Sequence, residues 1–497
     1  MKNDGEDMTS FASCISFLEI TIVLALSHLL LLPTMAEGFT QPAPITTAGR
    51  LEHQRSVSPA IVVTRGDGST EATAIVLVDP VTDFAHVIRA ALASRHVVIT
   101  VQMPDVALPA AFRAFLPTTQ QLLDAGATHT LQMQHRDTFS TVQQLQILSR
   151  EHKLHIAGII PLSEVAVEVS DLMASCLGVS HNPLKLLTAR RDKGLMKRAV
   201  QSAGLRVAKH ARIGSVADLQ HATISLPLSY PLVVKTPSGM STTDVHICSD
   251  ENEAIDALHS IVDKLGPDGR TVTMALVEEY IDGTEFAINL MAFGDGAHLL
   301  VTDMWSYRKT HKARYDSAEI CDPADYPTLV SYARGVAKAV GICFGAAHVE
   351  LKARRGSDVT WTEPTMIEVG ARLSGGRKSI MAQSAIDRWD PFTSLIASHC
   401  GKQCHSTLGN TDYLTPNRFA RHVFLPIKMA GKVKEVQLKT SALTTLHSST
   451  IIVKVGDVVR QTTDILSCAG FVWMVGERDQ VDKDTKNMLS SFNLVIS

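Results

Sequence analysis

The chain has no surplus of positive charge: Lys and Arg number 47 against 50 Asp and Glu, a formal net charge of −3. A partner with a phosphate backbone needs a basic surface to neutralise it, so nucleic acid is not an expected partner. Cysteine is sparse, eight residues scattered through 497, which is too thin for a disulfide framework and leaves free thiols as the expectation. Glycine (30) and proline (20) are too few for a collagen-like or low-complexity chain. A membrane-length apolar run is missing too. The stretch from Ile20 to Leu32 is thirteen residues long and contains His28, short of the roughly 20 needed to cross a bilayer. What is present is core material: 45% hydrophobic and 20% charged residues, with length enough for about three domains.

Ile20–Leu32 fits the apolar part of a signal peptide, and Thr34-Met35-Ala36 loosely resembles a small-x-small cleavage site. The leading region is acidic, however, with Lys2 set against Asp4, Glu6 and Asp7. Residues 1–36 are therefore read as a targeting segment for an organelle or the secretory route. The alternatives are a short membrane anchor, or a misassigned start on a cytoplasmic protein. Residues 37–60, with Pro42, Pro44 and Pro59, read as a linker.

From Ile61 the texture is α/β. Ile75-Val-Leu-Val78, the helical pattern His86–Ala93, the run Val97–Val101, the strand Ile156–Ile160 and the helix Val165–Gly178 repeat the strand–helix unit of a parallel sheet over 61–185. Arg190-Arg-Asp-Lys193 opens a helix that stops near Gly204. Strands follow at 231–235 and 245–248, an amphipathic helix at 253–265, and strands at 274–281, 285–293 and 297–303. Short strands and turns from Tyr413 onward suggest a small β-rich terminal subdomain.

Several residues could carry chemistry. Lys193 sits among charges at a helix start, where a solvated face is the plain reading. Lys235 ends an apolar strand before Thr-Pro-Ser-Gly-Met-Ser-Thr-Thr, 236–243. A loop of this kind can surround phosphates with N–H groups beside a point charge, although it has neither GxGxxG nor a P-loop pattern. Its plain reading is a solvent-facing strand end. Glu278, Glu279, Tyr280, Ile281 and Glu285 place acids in or beside apolar strands. His348-Val-Glu350 and Met366-Ile-Glu368 each put a carboxylate on an alternating strand, with Arg372, Gly375 and Gly376 after the second. Paired strands would bring the carboxylates together, which favours a cation between them and, with phosphate oxygens, suits magnesium. A salt-bridged strand pair is the alternative. His399-Cys400-Gly-Lys-Gln-Cys404-His405 has no second cluster to complete a zinc site.

In this order the motifs resemble the ATP-grasp superfamily, specifically its L-amino-acid ligase branch of carboxylate–amine ligases, over about 75–488. The resemblance implies an N-terminal parallel α/β domain (61–185), a two-lobed ATP-grasp domain (186–410, small lobe about 205–281) and a C-terminal subdomain (411–497). It implies that Lys193, Lys235 and the loop Ser238, Gly239, Met240, Ser241, Thr242 hold ATP phosphates. Backbone of Glu278, Glu279, Tyr280 and Ile281 would hold adenine, and Glu285 the ribose. Glu350 and Glu368 would bind Mg2+, with Mn2+ as the alternative. Arg372 would steady the transferring phosphoryl group, Glu164 would approach the substrate amino group, and Gly375 and Gly376 would border the substrate. Many relatives carry Asn two residues after the second Glu; Gly370 stands here. The implied reaction joins an amino acid carboxylate to an amine through an acyl phosphate, releasing ADP and phosphate. A thiol or non-amino-acid amine acceptor, or an ATP-binding regulator without catalysis, are the competing readings. The partners implied are small molecules, and self-association into a homo-oligomer is compatible with the family.

Overall fold

The computed structural model describes residues 70–497 apart from 82, 105–115, 135, 240–243, 267–268, 295–297, 311–313, 358–359, 402–410 and 464, with backbone alone at 46–47 and 62–64. The targeting segment and most of the linker expected before Ile61 lie outside the described residues. Among the described residues no helix is long and apolar enough to cross a membrane, and the six described cysteines are free thiols.

The N-terminal layer is a parallel sheet. Thr70–Val78 lies between Val97–Gln102 and Leu154–Pro161, and His129–Gln132 pairs beyond Val97–Gln102. Ala74 to Val78 are fully buried because both faces are covered: Ile75 and Leu77 feed one core, Ala74, Val76 and Val78 the other. This is why the strand reads as a continuous apolar run rather than an alternation.

Next comes a small antiparallel sheet in the order His210–Ile213, Ala275–Glu279, Leu232–Lys235, Val245–Cys248. Helices Val216–Ser225 and Glu251–Ile261 cover one face, started by the side-chain caps Ser215 and Asp250. The second helix stops four residues before the apolar pattern does. Asp263 takes a positive φ and its N–H donates to Val272 O, so Leu265 is carried into a hairpin and is 57% exposed.

The central sheet has eight antiparallel strands, in the order Trp361–Gly370, Phe344–Arg355, Thr284–Phe293, Leu299–Lys309, Tyr315–Cys321, Phe419–Leu425, Gly470–Gly476, Leu446–Ile451. Helix Pro327–Ala339 packs its buried face on one side. Helix Pro391–His399 lies between this sheet and the N-terminal layer, with Phe392, Leu395 and Ile396 in the shared core. Three strands of the C-terminal segment, Phe419–Leu425, Gly470–Gly476 and Leu446–Ile451, thus extend the central sheet. A separate three-stranded sheet is formed by Gly431–Gln437, Val458–Val459 and Asn493–Ile496.

Candidate active site

The site forms where the small sheet, the central sheet and helix Lys193–Ser202 meet. Asp192 caps that helix by accepting from Leu195 N at 2.9 Å, and this fixes Lys193 in the first turn. Lys193 is buried, not solvated. Its Nζ donates to Gly239 O at 2.8 Å and lies 2.7 Å from Glu368 Oε2. One ammonium therefore ties the small-residue loop to a carboxylate of the central sheet. Burial alone would raise the Glu368 carboxyl, but the Lys193 charge holds it at about 2. The carboxylate is ionised at any ordinary pH.

Lys235 departs from the solvent-facing reading: it is 3% exposed, with Nζ 2.9 Å from Glu278 Oε2. The other Glu278 oxygen meets Lys197 Nζ at 2.9 Å, and Lys197 also donates to Ile367 O at 3.0 Å. Burial would raise Glu278 as well; two ammonium neighbours bring it to about 2 instead. One carboxylate cannot neutralise two lysines, and burial pushes Lys197 down to about 8. The triad leaves a positive surplus of one charge. The Glu278 side chain is thus a counter-ion for lysines, leaving at most its backbone for adenine. Glu279 N–H is already engaged with Lys209 O at 3.0 Å, while Tyr280 and Ile281 lie past the strand end. Ile281 O accepts from Lys352 Nζ at 3.0 Å. Glu285 is buried between Lys309 Nζ and Tyr315 OH, both at 2.8 Å. A carboxylate offers about four lone-pair directions, so two remain for ribose hydroxyls. Ser238 O accepts from Arg191 at 2.8 Å; Met240, Ser241 and Thr242 lie outside the described residues.

Glu350 and Glu368 are direct cross-strand partners. Behind Glu350 runs a buried polar chain. Asp303 accepts from Asn289 Nδ2 (2.5 Å), Trp305 Nε1 (2.6 Å) and Thr302 Oγ1 (2.8 Å). That fixes the amide, so Asn289 Oδ1 faces His348 Nδ1 at 2.7 Å and the imidazole donates there. His348 Nε2 is 3.1 Å from Glu350 Oε1. Two carboxylates side by side fit magnesium, which takes one or two protein carboxylates and completes its shell with phosphates and water. Among the described residues no group of three or more His, Cys, Asp and Glu gathers as a metal cage, and such a site does not need one. In the His/Cys stretch His399 is buried and Cys400 is a free thiol, while 402–405, with Cys404 and His405, lie outside the described residues.

Arg372 Nε is 2.5 Å from Glu164 Oε2, and Arg191 holds the other oxygen at 3.0 Å. The Arg372 and Arg191 charges keep the Glu164 carboxyl below its usual range although burial works the other way. A Cβ at Gly370 would sit 2.9 Å from Glu164 Oε2, so an Asn here would displace that carboxylate. Gly375 is open to solvent, while Gly376 has φ +68° and its carbonyl accepts from Trp473 Nε1 at 2.9 Å. Lys378, buried beside the Tyr307 ring, has its ammonium pushed down by burial. Tyr307, Arg308 and Lys309 belong to a strand, with only Arg308 pointing well into solvent. Sequence reasoning missed Arg191, Lys197, Asn289 and Asp303. For Lys197 a signal existed, since it falls four residues after Lys193 on the same helix face.

Residues 228–379 match the model of the ATP-grasp domain. Dapdiamide A synthase of Enterobacter agglomerans is 24% identical over 348 residues, 68% of this chain and 80% of that protein. D-alanine–D-alanine ligase of Bacillus anthracis is 25% identical over 218 residues, 42% of this chain and 66% of that protein. The crystal structure of L-amino acid ligase from Bacillus licheniformis superposes with a TM-score of 0.66 at 17% identity, covering 86% of this chain and all of that one.

Proposed function

We propose that this chain, an ATP-grasp protein by its domain and its fold, is an ATP-dependent carboxylate–amine ligase that joins an amino acid to an amine, most simply a second amino acid. The observation that carries the proposal is the convergence of Lys193, the Glu350/Glu368 pair and the Arg372–Glu164 pair, tied to Gly239 by Lys193 and to Ser238 by Arg191. A regulator that only retained nucleotide would not need all of them.

In this reading Lys193, Lys235 and residues 238–242 hold the phosphates, backbone at Tyr280 and Ile281 holds adenine, and Glu285 the ribose. Glu350 and Glu368 would hold Mg2+, which supplies charge neutralisation between the phosphates. The carboxylate substrate attacks the γ-phosphoryl group and ADP leaves. Arg372 stabilises the negative charge that spreads over the transferring group and then the oxyanion formed as the amine adds. Glu164, held between two arginines and ionised, faces the amine. Gly375 and Gly376 leave room for substrate backbone. Phosphate leaves as the amide forms. The protein contributes positioning and electrostatics, and must keep the acyl phosphate from water; the small lobe is placed to cover it.

The test is phosphate release from ATP in the presence of pairs of amino acids, with amide formation followed by mass spectrometry. Slow ATP hydrolysis that no carboxylate–amine pair stimulates would reject the ligase reading.

A further inference from the structure

Two buried polar side chains at the Gly376 end of the loop that begins with Arg372 have no hydrogen-bond partner among the described residues. Lys378, the first residue of helix Lys378–Ala385, is 5% exposed, and its Nζ lies 5.2 Å from the centre of the Tyr307 ring. His422, on strand Phe419–Leu425, is 1% exposed and neither ring nitrogen is bonded. Both border Gly376. A Cβ there would sit 3.6 Å from Lys378 Nζ and 3.6 Å from His422 Nδ1, so the two nitrogens are at most twice that distance apart.

His422 is stacked on Trp473 at 4.9 Å and packed beside Phe424 at 4.3 Å, which keeps the ring from turning toward another partner. Burial and the Lys378 charge keep the imidazole neutral, with one N–H to donate. Three carboxylates attract the Lys378 ammonium, Glu350, Asp303 and Glu285, and Arg372 opposes them. Each carboxylate is bonded elsewhere: Glu350 to His348, Asp303 to Asn289, Trp305 and Thr302, Glu285 to Lys309 and Tyr315. Lys378 therefore has counter-charge but lacks acceptors, and a buried donor without one is costly.

The place of the pair tells which part of a substrate it would meet. Glu164, to which the proposed function gives the amine, has Arg372, Arg191, Glu368 and Lys193 as charged neighbours, whereas Lys378 has Glu350, Asp303, Arg372 and Glu285. Arg372 is common to both sets and stands between the two ends. At Gly375 a side chain would meet nothing within 4 Å, so the loop leaves open space beside the pair. The two oxygens of one carboxylate can accept from an ammonium and an imidazole N–H together.

We propose that Lys378 and His422 form a subsite for a carboxylate that the ligation does not consume, the side-chain carboxylate of an acidic amino acid such as glutamate. An α-carboxylate shares its carbon with the amine and stays at the Glu164 end; a side-chain carboxylate lies several bonds further on and reaches past Arg372. The C-terminal segment then takes part in substrate choice, through His422 and through Trp473, which holds both that ring and the Gly376 carbonyl. This inference rests on the ligase reading for the bond that is made, and on the two unpartnered groups for what the substrate carries.

The test follows phosphate release and, by mass spectrometry, amide formation by the full chain with Mg-ATP and alanine paired in turn with glutamate and with glutamine, which differ only at the group in question. Glutamate should show a kcat/KM at least about tenfold above glutamine, as one charge-assisted contact implies, and the product's fragmentation shows whether it served as donor or acceptor. Lys378→Met should bring the ratio of the two constants to within about twofold of one, chiefly through the KM of glutamate. His422→Phe should lower the same ratio, and carries the comparison if Lys378→Met does not fold. A lysine with only a structural role would depress both substrates alike and leave the ratio where it was. Equal use of the two by the wild type, an unchanged ratio in the variants, or an effect of Lys378→Met that follows the acceptor's α-carboxylate, read as alanine against alaninamide, would each overturn the proposal. If no pair is ligated, the ligase reading fails by itself. Calorimetric titration of glutamate and glutamine into the chain filled with a non-hydrolysable Mg-ATP analogue then decides the subsite: glutamate should bind the more tightly to the wild type and lose that advantage in Lys378→Met.

Discussion

Replacing Gly370 by Ala adds one methyl group at the end of the strand that bears Glu368, where it passes Glu164 of the N-terminal domain. That methyl would lie 2.9 Å from Glu164 Oε2, about 0.5 Å inside the 3.4 Å at which ordinary contact begins, and 3.5 Å from Arg372 Cζ. The guanidinium is therefore left in ordinary contact and the carboxylate must move. It cannot move freely, being 8% exposed and pinned by Arg372 at 2.5 Å and Arg191 at 3.0 Å. Forcing a methyl into such a site costs about 1–3 kcal/mol, or roughly 5–150-fold at 1.4 kcal/mol per decade. If Glu164 holds the amine, that factor falls on the amine substrate. Its KM should rise by this amount in steady-state phosphate-release assays at saturating ATP, while nucleotide affinity, which the proposed function assigns to Lys193 and Lys235, stays within about twofold. Gly370→Asn should move the same constants further in the same direction. An ATP affinity that falls as far as the amine's, or an amine KM that does not change, would refute the reasoning.

EDTA should abolish turnover, and Glu350→Gln or Glu368→Gln should raise the magnesium needed for half-maximal rate; full activity of either variant at low magnesium would favour a mere strand pair. Arg372→Ala should lower kcat by roughly 10² with little effect on ATP affinity, and hydroxylamine should trap a hydroxamate when the amine is omitted, with ADP rather than AMP as product. Lys197→Met leaves Glu278 and Lys235 as a one-to-one buried pair but takes the ammonium donor from Ile367 O, so it should destabilise the protein by only about 1–3 kcal/mol, seen as a lower melting temperature. Glu278, held at about 2 against a usual 4.5, contributes stability that is fully present above 4.5 and lost as pH falls toward 2. Acid unfolding followed by circular dichroism should show this slope in the wild type, while Glu278→Gln, with two buried lysines unpaired, should melt lower at every pH.

Much of this site could be read from the chain before its coordinates. Glu350 and Glu368 lie on alternating strands whose pairing was foreseeable, and they are register partners. Lys193 and Lys235 stood out by position, but the plain reading of each as a solvated end failed, because local pattern says nothing about what packs above a strand. Glu278 supplied the missing counter-charge, 43 residues after Lys235 in the sequence and 2.9 Å away in space. Gly370 was visible as a departure without a cause. What crowds it is Glu164, more than two hundred residues earlier and in the bend that follows the strand Leu154–Pro161. Asn289 and Asp303 gave no signal, because a buried polar chain within apolar strands looks like ordinary alternation until its partners are placed.

The central sheet also sets a timetable. Glu319 pairs across the sheet with Arg421, and Gly470–Gly476 fills the place between Phe419–Leu425 and Leu446–Ile451. Trp473, from that late strand, fastens the carbonyl of Gly376. During synthesis the strand bearing Glu368 is therefore made long before the loop beside it can be fastened. At about 5–20 residues per second, the hundred or so intervening residues take roughly 5–20 s. For a similar length of chain, from Cys321 until Phe419–Leu425 is made, the nascent chain exposes the unpaired edge of Tyr315–Cys321, the kind of surface that chaperones cover and that aggregates when they do not. Expression of this protein should accordingly be sensitive to anything that slows the ribosome between residues 320 and 476.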